Sequence, residues 1–160
     1  MPVTTIQKDT ESLKMTVEAV FDAPVSRVWE MWENPRLLER WWGPPTYPAT
    51  VVDHDLSVDG NVTYFMTGPE GDRHHGWWRI IAVDPPHKLE LEDGFGDADG
   101  NPNPDMPTTT MRMELAAKPE GGTAMTIETT FPSLEAMGQM VEMGMEEGIT
   151  QAVNQIDALL

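Results

Sequence analysis

The C-terminal segment, residues 133–160, constrains the fold more than any other part of the sequence. It reads SLEAMGQMVEMGMEEGITQAVNQIDALL and contains no proline. Apolar side chains recur in it at steps of three and four residues, which is the spacing of an amphipathic helix. Ser133 is placed to cap the first turn. A single helix of this length spans about 40 Å at ~1.5 Å per residue, so the sequence predicts a wide apolar surface beneath it.

The middle of the chain alternates with a period of two, which predicts β-strands. Turn sequences such as Asp59-Gly60 and Gly121-Gly122 separate the segments and favour short antiparallel connections. A first strand is predicted over residues 13–22. Six further strands are predicted over residues 47–54, 61–67, 74–83, 87–92, 108–117 and 123–131.

Two short helices are predicted between the first strand and the others. Pro24 suits the first turn of a helix over VSRVWEMW, and Asn34 caps a second one over RLLERWW. Together the elements predict an α+β domain with helices on one face of an antiparallel sheet. The domain is predicted to cover residues 13–160, after a flexible polar lead-in over residues 1–12.

The charge and composition exclude several classes of partner. The formal net charge is −17 and only ten lysines and arginines are present, which argues against nucleic acid and anionic membrane surfaces. Cysteine is absent, so disulfides and thiolate metal sites are excluded. No apolar run approaches the ~20 residues of a membrane span, and the N-terminal residues lack the apolar region of a signal peptide. We expect an acidic, soluble, cytoplasmic protein without membrane insertion.

The four histidines are the obvious candidates for catalysis or metal binding. His74 and His75 are adjacent, so in a strand they face opposite ways and cannot share one metal ion. His54 lies between two aspartates on the other face, and His87 lies in a turn. No spaced histidine–carboxylate set is present. The sequence therefore predicts no metal site, no cofactor and no assigned catalytic residue, with His74 as the best inward-facing histidine.

The segment 93–107 is the one long irregular stretch. It reads DGFGDADGNPNPDMP, and loops of this length in a compact domain are usually either disordered or functional lids. Phe95 and Met106 are the apolar groups that a lid would lower. Both interpretations stay open at this point.

Several local motifs recur in an order that resembles a known family. They are FDAP at 21–24, RVW at 27–29, LERWWGP at 38–44, DG at 59–60, GPEG at 68–71, GWW at 76–78, VDPP at 83–86, GGT at 121–123 and EG at 147–148. In these motifs the chain resembles the activator of heat-shock-protein-90 ATPase homologue family, within the helix-grip superfamily that is also called START-like or SRPBCC. Ile149 departs from the pattern, since relatives often carry tryptophan there.

The resemblance implies a helix-grip fold, in which a curved antiparallel sheet of about seven strands grips the long C-terminal helix around an apolar cavity. Strand alternation and the twelve methionines indicate which side chains face that cavity, because methionine fills irregular spaces and tolerates varied ligands. Tyr64 and Trp78 add a polar tip to an apolar body. The predicted ligand-binding residues are Trp29, Trp42, Tyr64, Met66, His74, Trp78, Ile80, Leu91, Phe95, Met111, Met113, Met137, Val141 and Met145.

Three functions are compatible with this fold. The first is a carrier or sensor that binds a small hydrophobic or aromatic molecule, such as a lipid, without catalysis. The second is a pocket enzyme of the cyclase or hydrolase type, which needs His74, Tyr64 or an acid of the 93–107 loop as its titratable group. The third is a chaperone ATPase co-factor, as the family name implies. The outward apolar residues Phe65, Trp77 and Ile81 also predict a homodimer.

Overall fold

The computed structural model describes residues 2–160 and contains one eight-stranded antiparallel sheet with helices on one face. The order of the strands across the sheet is β1-β2-β8-β7-β6-β5-β4-β3. The strands are β1 Val3–Asp9, β2 Lys14–Phe21, β3 Ala49–His54, β4 Asn61–Thr67, β5 Arg73–Asp84, β6 Lys88–Phe95, β7 Thr109–Ala117 and β8 Thr123–Thr130. The helices are α1 Val25–Glu33, α2 Pro35–Trp41, α3 Leu134–Glu142 and α4 Met145–Asn154, with a final 3₁₀ turn Ile156–Leu159. This architecture confirms the predicted α+β helix-grip class.

The first difference from the prediction is the extra strand β1, which lies where a flexible lead-in over residues 1–12 was expected. Its backbone pairs with β2 at the edge of the sheet, and only Val3 and Ile6 of its side chains are partly buried. Edge strands form through backbone hydrogen bonds and need little apolar alternation. Lys8 pairs with Glu146 of α4 at 2.5 Å, so β1 also holds α4 in place.

The second difference is a break in the C-terminal helix. Ser133 caps α3 as predicted, because its Oγ accepts the Ala136 N–H at 3.0 Å. However, Gly144 has φ +88°, and its N–H donates to Val141 O at 3.0 Å. A left-handed residue ends a helix, and glycine adopts this conformation without steric cost. Two helices with a bend between them therefore replace the single helix expected over residues 133–160.

The alternation of the strands is confirmed by the burial of their side chains. The residues assigned to the inner face of β2, β4, β5, β6, β7 and β8 are almost all buried. A tryptophan cluster, consisting of Trp32, Trp41, Trp42 and Trp78, fills one end of this interior. The ring centroids of neighbouring members lie 4.8–6.1 Å apart, and edge-to-face pairs at such distances stabilise a core.

The third difference concerns β6, which continues through Phe95 where the strand was expected to end at residue 92. Asp93 pairs in register with Trp78, and Gly94 pairs with Trp77. The ring of Trp77 lies over Gly94, where a Cβ would collide with it. Beyond Phe95 the chain turns back on itself, since Asp97 N–H donates to Asn101 O at 2.7 Å. Residues 93–95 therefore belong to the strand, and only the rest of the segment lies outside it.

The outward apolar residues that predicted a homodimer are covered in part within the chain. Phe65 packs against His75 and lies under the guanidinium of Arg73 at 4.3 Å. Trp77 Nε1–H donates to Phe95 O at 3.1 Å. The homodimer stays a prediction. Nowhere among residues 2–160 is there a helix both long and apolar enough to cross a membrane.

Candidate ligand-binding cavity

A cavity of about 290 Å³ lies between the inner face of the sheet and the bend between α3 and α4. Six of its lining residues are methionines, from both the sheet and the helices, and we call it the methionine-lined cavity. Met143, which is 57% exposed, lies at its rim. The cavity is lined by Met15, Val17, Trp42, Pro44, Tyr64, Met66, Asp93, Phe95, Met111, Ile127, Thr129, Met140, Met143, Gly144, Met145, Gly148 and Ile149.

The structure brings six of the predicted ligand-binding residues together around this cavity. They come from α2 and its end, from three different strands and from α4, so they are distant in sequence. They are Trp42, Tyr64, Met66, Phe95, Met111 and Met145.

The other predicted residues lie elsewhere in the described part of the chain. Most of them are packed in the solid interior: Trp29, Trp78, Ile80, Leu91, Met113 and Met137. Trp29 Nε1–H is bound to Glu33 at 2.7 Å, and Val141 is half-buried on α3 outside the cavity lining. On the helical roof the cavity is lined by Met140 and Met143 as well as Met145, whereas Met137 is packed in the core and Val141 lies outside the lining.

His74 is not an inward-facing residue. It is exposed, and its Nε2 contacts Asp72 Oδ2 at 2.5 Å. It borders a smaller cavity of about 110 Å³ next to the main one, which also touches Tyr64 and Asp93. Among residues 2–160 no group of three or more histidines, aspartates or glutamates is placed to hold a metal ion.

The polar part of the cavity wall is a pair formed by Tyr64 and Asp93. The Tyr64 hydroxyl donates to Asp93 Oδ1 at 3.3 Å. Tyr64 is on β4 and Asp93 on β6, so the ring must cross the intervening strand β5 to reach the carboxyl group. Gly76 of β5 makes this possible, because a Cβ at that position would collide with the Tyr64 ring.

Burial changes the pKa values of both members of this pair. Removal from water raises the pKa of the Asp93 carboxyl to about 7, and the hydrogen bond from Tyr64 offsets only part of this effect. Removal from water, and then the nearby Asp93 carboxylate, raise the pKa of Tyr64 well above its ordinary value. The cavity therefore contains a carboxyl group that changes charge near neutral pH beside a hydroxyl group that stays protonated.

Two indole groups complete the surroundings of the Tyr64 hydroxyl. The N–H groups of Trp42 and Trp78 are buried and have no hydrogen-bond partner among residues 2–160. Both lie near enough to the Tyr64 oxygen to favour its ionised form, without reaching hydrogen-bond geometry. The hydroxyl group is thus fixed between two indoles and one carboxyl.

The sequence did not place the most polar residue of the cavity among the predicted ligand-binding residues. Asp93 was assigned to the irregular segment, which is rich in glycine, proline, aspartate and asparagine, although the alternation of Leu89 and Leu91 continues through Asp93 and Phe95. Extending that alternation by one step would have placed the carboxyl on the inner face. Met15, Val17 and Ile127 also line the cavity, and they were not among the predicted ligand-binding residues.

The roof of the cavity contains open space at Gly148. A Cβ added there would meet no atom of residues 2–160 within 4 Å outside the neighbouring helical backbone. Ile149 also lines the cavity. Small or medium side chains at these two positions leave the space beneath the bend unfilled.

Comparison with solved structures shows relatives of nearly full length. Protein Ms6760 from Mycobacterium smegmatis is 50% identical, with a TM-score of 0.92 over 99% of this chain and 97% of that one. A protein from Arthrobacter aurescens is 48% identical, with a TM-score of 0.93 over 98% of this chain and 90% of that one. A protein from Staphylococcus epidermidis is 27% identical, with a TM-score of 0.84 over 98% and 93% of the two chains.

No functionally curated protein matches the chain. Residues 22–160 match the family described as "Activator of Hsp90 ATPase homolog 1-like protein". This match begins at the end of β2 and includes both short helices, the rest of the sheet and the helical roof. The chain therefore belongs to the family of activator of Hsp90 ATPase homologue 1-like proteins.

Proposed function

We propose that the protein binds a small hydrophobic or aromatic molecule in the methionine-lined cavity and acts as its carrier or sensor. The observation that supports this proposal is the cavity itself, about 290 Å³ in volume and lined mainly by apolar side chains. The family is known for a ligand-binding cavity. Ligand sites in proteins are concave, largely apolar and equipped with few polar groups.

The kind of side chain around the cavity supports reversible binding of an apolar molecule. Six methionines surround the space, and their unbranched, polarizable side chains adapt to ligands of different shape. Apolar surface that lines an empty space also forgoes van der Waals contacts, which a ligand would supply. The pair of Tyr64 and Asp93 provides one polar position against which such a ligand is oriented.

The test uses an uncharged fluorescent probe, N-phenyl-naphthylamine, whose emission rises when it enters an apolar site. The probe is titrated into the wild type and into Gly148→Leu, which places a side chain in the open space of the roof. The matched control is Gly138→Leu, on the exposed face of α3, where an added Cβ also meets no atom within 4 Å.

We expect the wild type and Gly138→Leu to bind the probe with similar affinity, and Gly148→Leu to lose binding by at least about tenfold. Equal binding by all three proteins would place the probe outside the cavity. Absence of binding to the wild type, repeated with a panel of lipids and aromatic molecules, would reject the proposal.

A pocket enzyme of the cyclase or hydrolase type is the second candidate, and one observation favours it. A general acid or base works best when its pKa lies near the working pH, and Asp93 has a pKa of about 7 and a hydrogen bond from Tyr64. His74 is exposed and lies outside the lining of the methionine-lined cavity.

This alternative predicts that turnover of a bound molecule depends on the carboxyl group. Asp93→Asn would abolish such turnover while binding of the uncharged probe is kept, and Tyr64→Phe would reduce it. Turnover that survives both substitutions would remove these residues from the chemistry.

A further inference from the structure

The methionine-lined cavity has an unusual distribution of charge. Asp93 is the one carboxyl group among its described lining residues, and no lysine, arginine or histidine lines it. Oδ1 of this carboxyl accepts the hydrogen bond from the Tyr64 hydroxyl. The structure records no hydrogen bond from residues 2–160 to the other oxygen, Oδ2, which leaves it available to a ligand.

Aromatic rings lie around the same space. Trp42, Tyr64 and Phe95 all line the cavity, and the rings of Trp42 and Tyr64 meet edge to face with centroids 6.1 Å apart. The faces of aromatic rings attract cations, and the attraction is larger where water is excluded. A carboxyl group among aromatic rings is the combination that binds a protonated amine.

We infer that the cavity takes a hydrophobic molecule that carries a protonated amine, with Asp93 as its counter-ion and the neighbouring aromatic rings around it. This inference rests on the proposed function, since it names the class of ligand for the same cavity. The apolar body of the ligand would lie against the methionines and its amine would donate to Asp93 Oδ2.

Two further observations support a cationic ligand over an anionic one. The chain has a formal net charge of −17, which attracts cations and repels carboxylates over long distances. A fatty-acid carboxylate in the cavity would find no basic side chain among the lining residues and would lie near Asp93. Its burial without a counter-ion would be costly.

The surroundings of Asp93 agree with this assignment. The pKa of its carboxyl is raised to about 7 because the group is removed from water, and no basic side chain among the lining residues of the cavity compensates its charge. A bound amine would supply that missing charge and stabilise the ionised carboxylate.

The test compares three molecules that share one aromatic body: naphthylethylamine, naphthylethanol and naphthylacetate. Their affinities for the wild type are measured by calorimetry at pH 8, together with those for Asp93→Asn and for the exposed control Asp99→Asn. We expect the amine to bind about tenfold more tightly than the alcohol, and the carboxylate to bind most weakly. Asp93→Asn should remove the preference for the amine, while Asp99→Asn should keep it.

The outcomes separate this inference from the proposed function. If the alcohol binds as tightly as the amine, or the carboxylate binds best, the inference is overturned although the cavity is a ligand site. If none of the three molecules binds and N-phenyl-naphthylamine also fails, both the inference and the proposed function are rejected. Because the comparison of three ligands uses the wild type, it stands even if Asp93→Asn does not fold.

Discussion

The interior between the sheet and the helices is packed solidly at one end and contains a cavity at the other. The tryptophan cluster fills one end, where Trp32, Trp41 and Trp78 are all 0% exposed. At the other end Met111 and Met140 border open space. Trp42 belongs to both ends, since it packs edge to face on Trp78 and also lines the cavity.

We interpret this difference as a division of roles within one fold, in which one end stabilises the domain and the other binds a ligand. Large rigid rings bury much apolar surface at the solid end, which stabilises the domain. At the cavity end, the flexible methionine side chains lack van der Waals contacts on the side that faces the cavity. A bound ligand would supply those contacts. Substitutions at the solid end should therefore change stability most, and substitutions at the hollow end should change binding most.

The largest effect is expected for Trp78→Ala. Its side chain is fully buried among Trp32, Trp42 and Tyr64, so its removal leaves a large cavity and should lower the free energy of unfolding by about 3–5 kcal/mol. Met111→Ala, beside the existing cavity, should cost about 2 kcal/mol, the lower end of the range for methionine in a core. Urea denaturation checks both values, and equal losses would show that the two ends are packed alike.

The next largest effect is the dependence on pH that Asp93 gives to the free energy of unfolding. Because its pKa in the folded protein, about 7, is raised above the ordinary value of 3.8, the unfolded state ionises first as the pH rises. Below about pH 4, Asp93 therefore does not reduce the free energy of unfolding of the wild type. From about pH 4 to about pH 7 it reduces this free energy progressively. The stability of Asp93→Asn relative to the wild type should rise by about 1–3 kcal/mol across this window.

The control for the pH prediction is Asp99→Asn, which changes an exposed carboxyl in the loop after β6. Denaturation at several pH values should show no comparable rise for this variant. A difference between Asp93→Asn and the wild type that does not change with pH would show that the pKa of Asp93 is the same in the folded and the unfolded protein, which would contradict the raised value.

The smallest effects come from three glycines of the helical roof. Alanine favours a helix by about 1 kcal/mol over glycine, so Gly148→Ala and Gly138→Ala should each stabilise the protein by up to that amount. Gly144→Ala should instead destabilise it, because Gly144 has φ +88°. Thermal unfolding checks all three. A loss of stability in Gly148→Ala would mean that the roof is closed at this position.

The sequence predicted most of the fold because alternation and helical spacing follow directly from burial. The inner faces of the strands, the Asn34 and Ser133 caps and the two short helices were predicted correctly. Strand β1 was missed because an edge strand owes its place to backbone pairing, which leaves little trace in side-chain pattern.

The site was predicted less completely, for two physical reasons. The left-handed Gly144 divides the predicted helix into α3 and α4 over the cavity, and a glycine alone does not show in sequence whether it bends a helix or lies within it. Gly148 illustrates the second case. Asp93 was assigned to the irregular segment because that stretch is rich in residues that favour turns and loops, although pairing with Trp78 keeps it in a strand.

The most direct test of the account is nuclear magnetic resonance of the methionine methyl groups, labelled with carbon-13, during titration with naphthylethylamine. The chain has one set of methionines that line the cavity and another set that is buried outside it. The first set is Met15, Met66, Met111, Met140, Met143 and Met145, and the second set is Met31, Met113 and Met125. The account predicts large shifts for the first set and small ones for the second. Shifts confined to the second set, or spread equally over both, would contradict the claim that this cavity is the ligand site.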